Sequence, residues 1–204
     1  MSSKTVIIDY GVGNLFSLLS GLKYIGADAC VSSDINILRN ADRLILPGVG
    51  AFRDAAEKLK NSGMAEIVKE QAKQGIPLMG ICLGMQLLFT DSYEHGHYEG
   101  LDIIPGSVLP LVEHIGEDLK IPHMGWNKLK CKNDKLFSFC GSTPYVYYVH
   151  SYSAHTADEY VIATSEYGMD VVGAVRKHNV VGTQFHPEKS GENGLLMLKA
   201  FCEE

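Results

Sequence analysis

The stretch Ile76-Pro77-Leu78-Met79-Gly80-Ile81-Cys82-Leu83-Gly84-Met85-Gln86-Leu87-Leu88-Phe89 decides how this chain folds. Pro77 is tolerated only at the start or edge of a strand, and Leu78 and Met79 continue an apolar run suited to a short buried one. Gly80-Ile81-Cys82-Leu83-Gly84 comes next, followed by apolar residues at helical spacing. A nucleophile flanked by glycines in this pattern marks a sharp strand-to-helix turn, where a side chain at either flank would collide with neighbouring backbone. The turn lifts the cysteine sulfur above a sheet and sets it at a helix N-terminus, where the dipole and free N–H groups favour the thiolate. Taken alone, Cys82 reads equally as a buried structural thiol, because free cysteine is among the most buried residue types.

Working outward, strands alternate with helices or helix-length connections. Thr5-Val6-Ile7-Ile8-Asp9 reads as a buried parallel strand, and Gly11-Val12-Gly13-Asn14 as a turn whose Asn14 caps a helix carrying Leu15, Leu18, Leu19 and Leu22. The turn lacks the third glycine of a phosphate-binding loop, so backbone needing positive φ is the better reason for its glycines. Residues 29–31 and 42–46 supply two more strands, the second running into Pro47-Gly48-Val49-Gly50. That loop sits at the strand end where parallel α/β sheets gather their sites. It reads either as a plain turn or as a nest of N–H groups for negative charge. Residues 51–61 and 64–74 form two helices broken at Ser62-Gly63.

Beyond Phe89 the texture changes. Residues 90–106 are polar and turn-rich, and His95 and His97, without a third ligand nearby, read as surface groups and not as a metal site. Residues 107–112, 121–126 and 144–152 read as strands, the first an edge strand because of Pro110. Trp126, the single tryptophan, reads as a packing residue, with surface docking as the alternative. Residues 161–164, 171–175 and 180–185 are further strands, and residues 193–202 close the chain as an amphipathic helix. The fold class expected is α/β: a mostly parallel central sheet with helices on both faces and a smaller antiparallel layer, all within one domain over residues 1–204.

The bulk numbers fit this reading. With 204 residues, 46% hydrophobic and 21% charged, the chain suits one soluble domain with one core. A net charge of −6 without basic runs argues against a nucleic-acid partner. No apolar run approaches a membrane span, and residues 1–5 lead directly into the first strand without a signal peptide. The five cysteines lack paired spacing, which points to free thiols in a reducing cytoplasm.

Gly182-Thr183-Gln184-Phe185-His186-Pro187-Glu188 ends the last strand. A cysteine nucleophile needs a base for its proton, held by a third group in the correct tautomer. In extended chain His186 and Glu188 share a side, and Pro187 stiffens the spacing. A buried, satisfied core histidine is the competing reading of His186 alone; the combination with the Cys82 elbow and the glycine loop favours a catalytic triad.

At these residues the chain resembles a family. Gly80-Ile81-Cys82-Leu83-Gly84-Met85-Gln86 and Phe185-His186-Pro187-Glu188 are similar to two signatures of the class I glutamine amidotransferases, and the resemblance spans essentially the whole chain. Residues 8–15, 46–52, 122–127 and 150–152, with Lys189, narrow it to the glutaminase subunits of imidazole glycerol phosphate synthase. The resemblance implies a flavodoxin-like core and hydrolysis of glutamine by Cys82, His186 and Glu188. It implies an oxyanion hole in the Gly48-Val49-Gly50 loop, through a peptide flip; the elbow itself supplies Leu83 N–H. Gln86, Glu94 and the backbone of Ser151 and Tyr152 look like the family's glutamine-holding positions. Trp126 and Lys189 fall toward the partner and the ammonia passage. The implied partner is the (β/α)8-barrel cyclase subunit, in a cytoplasmic heterodimer of histidine biosynthesis without cofactor or metal. Two other readings stay open: a glutaminase serving a surface-polysaccharide sugar synthase, and a non-enzymatic α/β protein with a redox cysteine. The second has no need of the His-Pro-Glu unit.

Overall fold

The computed structural model describes residues 4–116, 118–141 and 143–204, so the reading of residues 1–3 lies outside it. In chain order the elements are β1 (Thr5–Ile8), α1 (Leu15–Tyr24), β2 (Ala29–Ser32), α2 (Ile35–Arg39), β3 (Arg43–Leu46), α3 (Phe52–Asn61), α4 (Met64–Lys73), β4 (Leu78–Ile81) and α5 (Leu83–Gln86). They continue with β5 (Phe89–Ser92), β6 (Tyr98–Glu99), β7 (Ile104–Pro110), β8 (His123–Lys128), β9 (Lys130–Cys131), β10 (Tyr145–His150), β11 (Tyr152–His155), β12 (Val161–Glu166), β13 (Asp170–Lys177), β14 (Val180–Thr183) and α6 (Gly191–Cys202).

The main sheet has eight strands in the order β2-β1-β3-β4-β14-β13-β12-β9. The first five run parallel, and the last three extend the sheet antiparallel. The start of this order, 2-1-3-4, is that of a flavodoxin-like core. β1, β3, β4 and β14 are buried at every residue, as strands covered on both faces must be. Their alternation sorts side chains to two layers. Val6, Ile8, Leu44 and Leu46 pack with Leu38, Phe52, Leu59 and Val68 of α2, α3 and α4. Ile7, Ile45, Met79 and Val181 pack with Leu18 and Leu22 of α1 and with Met197, Leu198 and Phe201 of α6. The α/β reading holds, and so do the two helices broken at Ser62-Gly63 and the Asn14 cap, whose Oδ1 accepts from Ser17 N–H at 3.4 Å.

A second sheet of four strands has the order β11-β7-β5-β6, and β10 pairs with β8 in a two-stranded ribbon. Here the structure departs from four expectations. The helix after Cys82 is a single turn, α5, and Phe89 opens a strand; a short apolar run buried all round does not distinguish helix from strand. β7 is an interior strand despite Pro110. The proline is its last residue, and the next N–H, from Leu111, donates to the Ser151 carbonyl at 2.9 Å, so no ladder bond is lost inside the strand. Residues 144–152 are not one strand: the chain changes sheets at Ser151, from β10 to β11. Trp126 is 57% exposed on β8 and does not pack in the core.

The elbow explains its glycines. A Cβ on Gly84 would overlap the Leu46 carbonyl oxygen, and one on Gly80 would lie 2.7 Å from the Gly84 carbonyl oxygen. A Cβ on Gly48 would stand 2.6 Å from Gly84 N. The loop after β3 therefore lies directly on the turn after β4, and only glycines let the two backbones meet.

Candidate active site

Cys82 has φ 54° and ψ −111°, a conformation a non-glycine residue adopts only when its surroundings impose it. Its N–H is held by the Thr183 carbonyl at 2.7 Å, so β14, which carries the chain toward His186, also fixes the elbow. The sulfur lies 4.0 Å from the Val149 carbonyl oxygen, and Gln184 Nε2–H points to it from 3.8 Å.

His186 Nδ1–H donates to Glu188 Oε1 at 2.8 Å, and both side chains are almost wholly buried. The pair is not on strand residues, as the sequence suggested. β14 stops at Thr183, and Glu188 lies in a single 3-10 turn, Pro187–Lys189, which Pro187 opens. Proline suits that first position because its missing N–H has no partner there anyway. Burial pushes the His186 imidazole toward neutrality, but hydrogen bonds and charge from Cys82 and Glu188 prevail and raise it to about 9. At neutral pH a protonated imidazole thus faces the sulfur. That charge, and not the dipole of a one-turn helix, is the main electrostatic influence at the sulfur.

Val49, Gly50, Cys82, Leu83, Gln86, Glu94, Ser151, Tyr152 and His186 line one cleft of about 510 Å³. Gly48 and Glu188 sit behind it, with Asn14 and Leu18, around a cavity of about 10 Å³. Gly50 has φ +92° with open space beside it, whereas Gly48 is required for close approach, so the loop's two glycines answer different needs. Glu94 lines the cleft and is also tied down, its Oε2 accepting the Phe52 N–H at the start of α3. His95 borders the cleft, while His97 turns away to Asp91 at 3.3 Å, so the two histidines do not converge. Among the described residues no group of three or more His, Cys, Asp or Glu is placed to hold a metal. Among those same residues, no helix is long and apolar enough to cross a membrane. Lys189 is exposed, and Trp126 lies near Gly191, two residues further on.

Three contributors escaped the sequence reading. Tyr10, held protonated by burial and by the nearby Cys82, donates from its hydroxyl to the Pro47 carbonyl at 2.7 Å and anchors the glycine loop. Gln184 joins the nucleophile to Gln86, whose Nε2 donates to Gln184 Oε1 at 2.9 Å. His150 also lines the cleft. Tyr10 and His150 stood within stretches that carried the family resemblance, without a role being read for either; the polarity of Gln184 has no local sequence signal.

The other thiols have a different setting. Burial pushes Cys131 up to about 12, with a smaller contribution from Cys140, and burial likewise raises Cys140 and Cys202. A glutamine-like electrophile at neutral pH is expected to label Cys82 and spare Cys30, Cys131, Cys140 and Cys202. Peptide mapping after brief exposure checks this, and equal labelling of several cysteines would remove the special status of Cys82.

A cysteine on a strained elbow, an imidazole against it and a carboxylate behind make up the arrangement that nucleophilic cysteine chemistry requires, here on a flavodoxin-like sheet. Residues 6–204 match the family described as glutamine amidotransferase class-I. The chain is 50% identical to the imidazole glycerol phosphate synthase subunit HisH of Geobacter metallireducens, over 96% of each chain. It is 47% identical to the HisH of Listeria monocytogenes serovar 1/2a, over 97% of this chain and 94% of that one. Among solved structures, PurLQS from Thermotoga maritima superposes with a TM-score of 0.75 at 19% identity, covering 100% of this chain and 99% of that one, a likeness of fold. The chain belongs to the class-I glutamine amidotransferases and, within them, to the family of HisH subunits.

Proposed function

We propose that this chain is the glutaminase subunit of an imidazole glycerol phosphate synthase, releasing ammonia from glutamine for a cyclase partner in histidine biosynthesis. The observation that carries the chemistry is His186, bonded to Glu188 and facing Cys82 at the mouth of a cleft of about 510 Å³. The Cys82 thiolate attacks the side-chain amide carbon of glutamine, forming the C–S bond and moving an electron pair onto oxygen. Leu83 N–H, just past the nucleophile, and an N–H of the Gly48-Val49-Gly50 loop face that oxyanion. His186 gives its proton to the amide nitrogen, the C–N bond breaks and ammonia leaves. Water then attacks the thioester carbon and gives a proton to His186, the C–S bond breaks with its electron pair returning to the Cys82 sulfur, and glutamate departs. Gln86, Glu94 and the backbone at Ser151 and Tyr152 hold the substrate's amino-acid end.

The partner surface is an exposed apolar patch on the β8–β10 ribbon. Met124 and Trp126 project outward from β8, and Ile121 and Tyr145 stand exposed beside the same ribbon. Exposed apolar residues gathered in this way mark an interaction site. The opposite strand of that ribbon, β10, carries Val149 into the cleft, and its Tyr147 carbonyl accepts the His186 N–H at 3.0 Å. A partner docked on Met124 and Trp126, with Lys189 close by, would thus sit one strand away from the ammonia it receives. The test follows the amide nitrogen of glutamine. It should enter the cyclase's product when chain and cyclase are combined, and not when this chain is omitted; a product that never acquires that nitrogen would overturn the reading.

A further inference from the structure

Two buried histidines outside the triad are joined in a chain of hydrogen bonds with one permitted direction. His150 Nδ1 lies 2.8 Å from the Tyr152 carbonyl, which can only accept, so Nδ1 carries a proton. His150 Nε2 lies 2.9 Å from His123 Nδ1. With His150 neutral, its Nε2 accepts and His123 Nδ1 donates. His123 Nε2 then accepts from Asn127 Nδ2 at 3.3 Å. The Asn127 amide has no freedom to turn: its Oδ1 accepts the Lys128 N–H at 2.7 Å, and its second Nδ2 proton goes to the Glu166 carbonyl at 2.9 Å. Every donor meets an acceptor only if both imidazoles are neutral. Burial holds them so, lowering His150 to about 3 and His123 to about 4. Tyr148 and Tyr167 stack on His123, at 4.6 and 4.0 Å between ring centres, and fix its plane.

The direction continues toward the nucleophile. The Tyr152 carbonyl also accepts from Gln86 Nε2 at 3.3 Å, which decides which end of the Gln86 amide faces it. The other proton of Gln86 Nε2 meets Gln184 Oε1 at 2.9 Å, and this turns Gln184 Nε2–H toward the Cys82 sulfur at 3.8 Å. The turning point of the arrangement is Ser151, where the chain leaves the β8–β10 ribbon for the other sheet and its carbonyl accepts the Leu111 N–H. The imidazole of His150 spans that break.

We propose that His150 and His123 are positioning residues for glutamine hydrolysis: as a neutral, one-directional pair they hold the Tyr152 carbonyl, and through it the amide orientations of Gln86 and Gln184 in the glutamine cleft. This rests on the glutaminase reading above. Both ring nitrogens of His150 are committed, to the Tyr152 carbonyl and to His123, so it acts through Tyr152 and Gln86. The arrangement makes the cleft floor dependent on Asn127, which neighbours Trp126 on the outward-facing strand.

The test uses the complex with the cyclase and glutamine as substrate. His150→Phe keeps an aromatic ring but loses both nitrogens, and is expected to raise KM for glutamine roughly 10- to 100-fold, the range for stranding a buried polar partner. A merely structural role would reduce the amount of folded enzyme, and so kcat, without moving KM. His150→Asn places an amide N–H where Nδ1–H was, and should bring KM back to within about threefold of the unsubstituted complex. KM unchanged in His150→Phe, or His150→Asn no better than His150→Phe, would overturn the proposal. If the unsubstituted complex did not hydrolyse glutamine at all, the fault would lie with the functional reading instead. Should His150→Phe fail to fold, imidazole NMR of the unsubstituted complex decides: both rings should be Nδ1–H tautomers at neutral pH, and an Nε2–H tautomer or an imidazolium at either would overturn it.

Discussion

Replacing Cys82 by alanine should lower glutamine-dependent turnover of the complex roughly 10⁶-fold, the size of loss seen when the nucleophile of a triad is removed. Turnover with free ammonium should remain. The two outcomes separate because ammonia release needs the thiolate, whereas consuming ammonia is the partner's chemistry. The size of the effect follows from how the residues act as a unit. His186 is raised by its bonds to both Cys82 and Glu188, so without the sulfur the imidazole has no nucleophile to serve. The substitution is also mild for the fold, since Cys82 is small and its backbone N–H stays bonded to Thr183. Its positive φ is strained for alanine as it is for cysteine. Substantial remaining glutamine turnover would mean that another group is the nucleophile.

The second large effect concerns the partner. The isolated chain should hydrolyse glutamine roughly 10²- to 10³-fold more slowly than the complex with acceptor bound, which is the worth of one oxyanion donor in comparable sites. The proposed means is the glycine loop. Tyr10 holds the Pro47 carbonyl, Gly48 is wedged on Gly84, and Gly50 has positive φ with free space around it. The peptides between these anchors can show the cleft either a carbonyl or an N–H, and a partner favouring the N–H shifts the population. Without such control the chain would hydrolyse glutamine into water. Gly50→Ala should lose most of the stimulation and still bind the partner, because a Cβ there meets nothing but strains the backbone. Steady-state glutamine hydrolysis by the chain alone, by the complex, and by the complex with acceptor ligand checks this. Equal turnover in all three would exclude gating.

How much could be read beforehand divides by physical cause. β1, β3, β4 and β14 were legible because burial on both faces leaves unbroken apolar runs. The elbow was legible because its glycines answer a steric demand that no other residue meets. Between residues 90 and 155 the strands are short and change sheets, and nothing in Tyr145-Val146-Tyr147-Tyr148-Val149 signals the break at Ser151. Pro110 misled because a proline at the last residue of an interior strand breaks no ladder bond. In the site, Cys82 and His186 were visible from pattern, while the oxyanion and glutamine-holding roles proposed for the Gly48-Val49-Gly50 loop, Gln86, Glu94, Ser151 and Tyr152 came with the family resemblance. His123 and His150 stood in stretches that carried the resemblance, but their pairing was not visible. Its meaning lies in hydrogen-bond direction, which exists only once β8, β10 and β11 converge on Gln86.

The central claim is that ammonia made at Cys82 is delivered to the partner. Its most direct test is isotopic competition: the complex turns over glutamine with a labelled amide nitrogen in a several-fold excess of unlabelled ammonium. The cyclase's product should carry the label at nearly the glutamine's enrichment. A product whose nitrogen matches the bulk ammonium would contradict it.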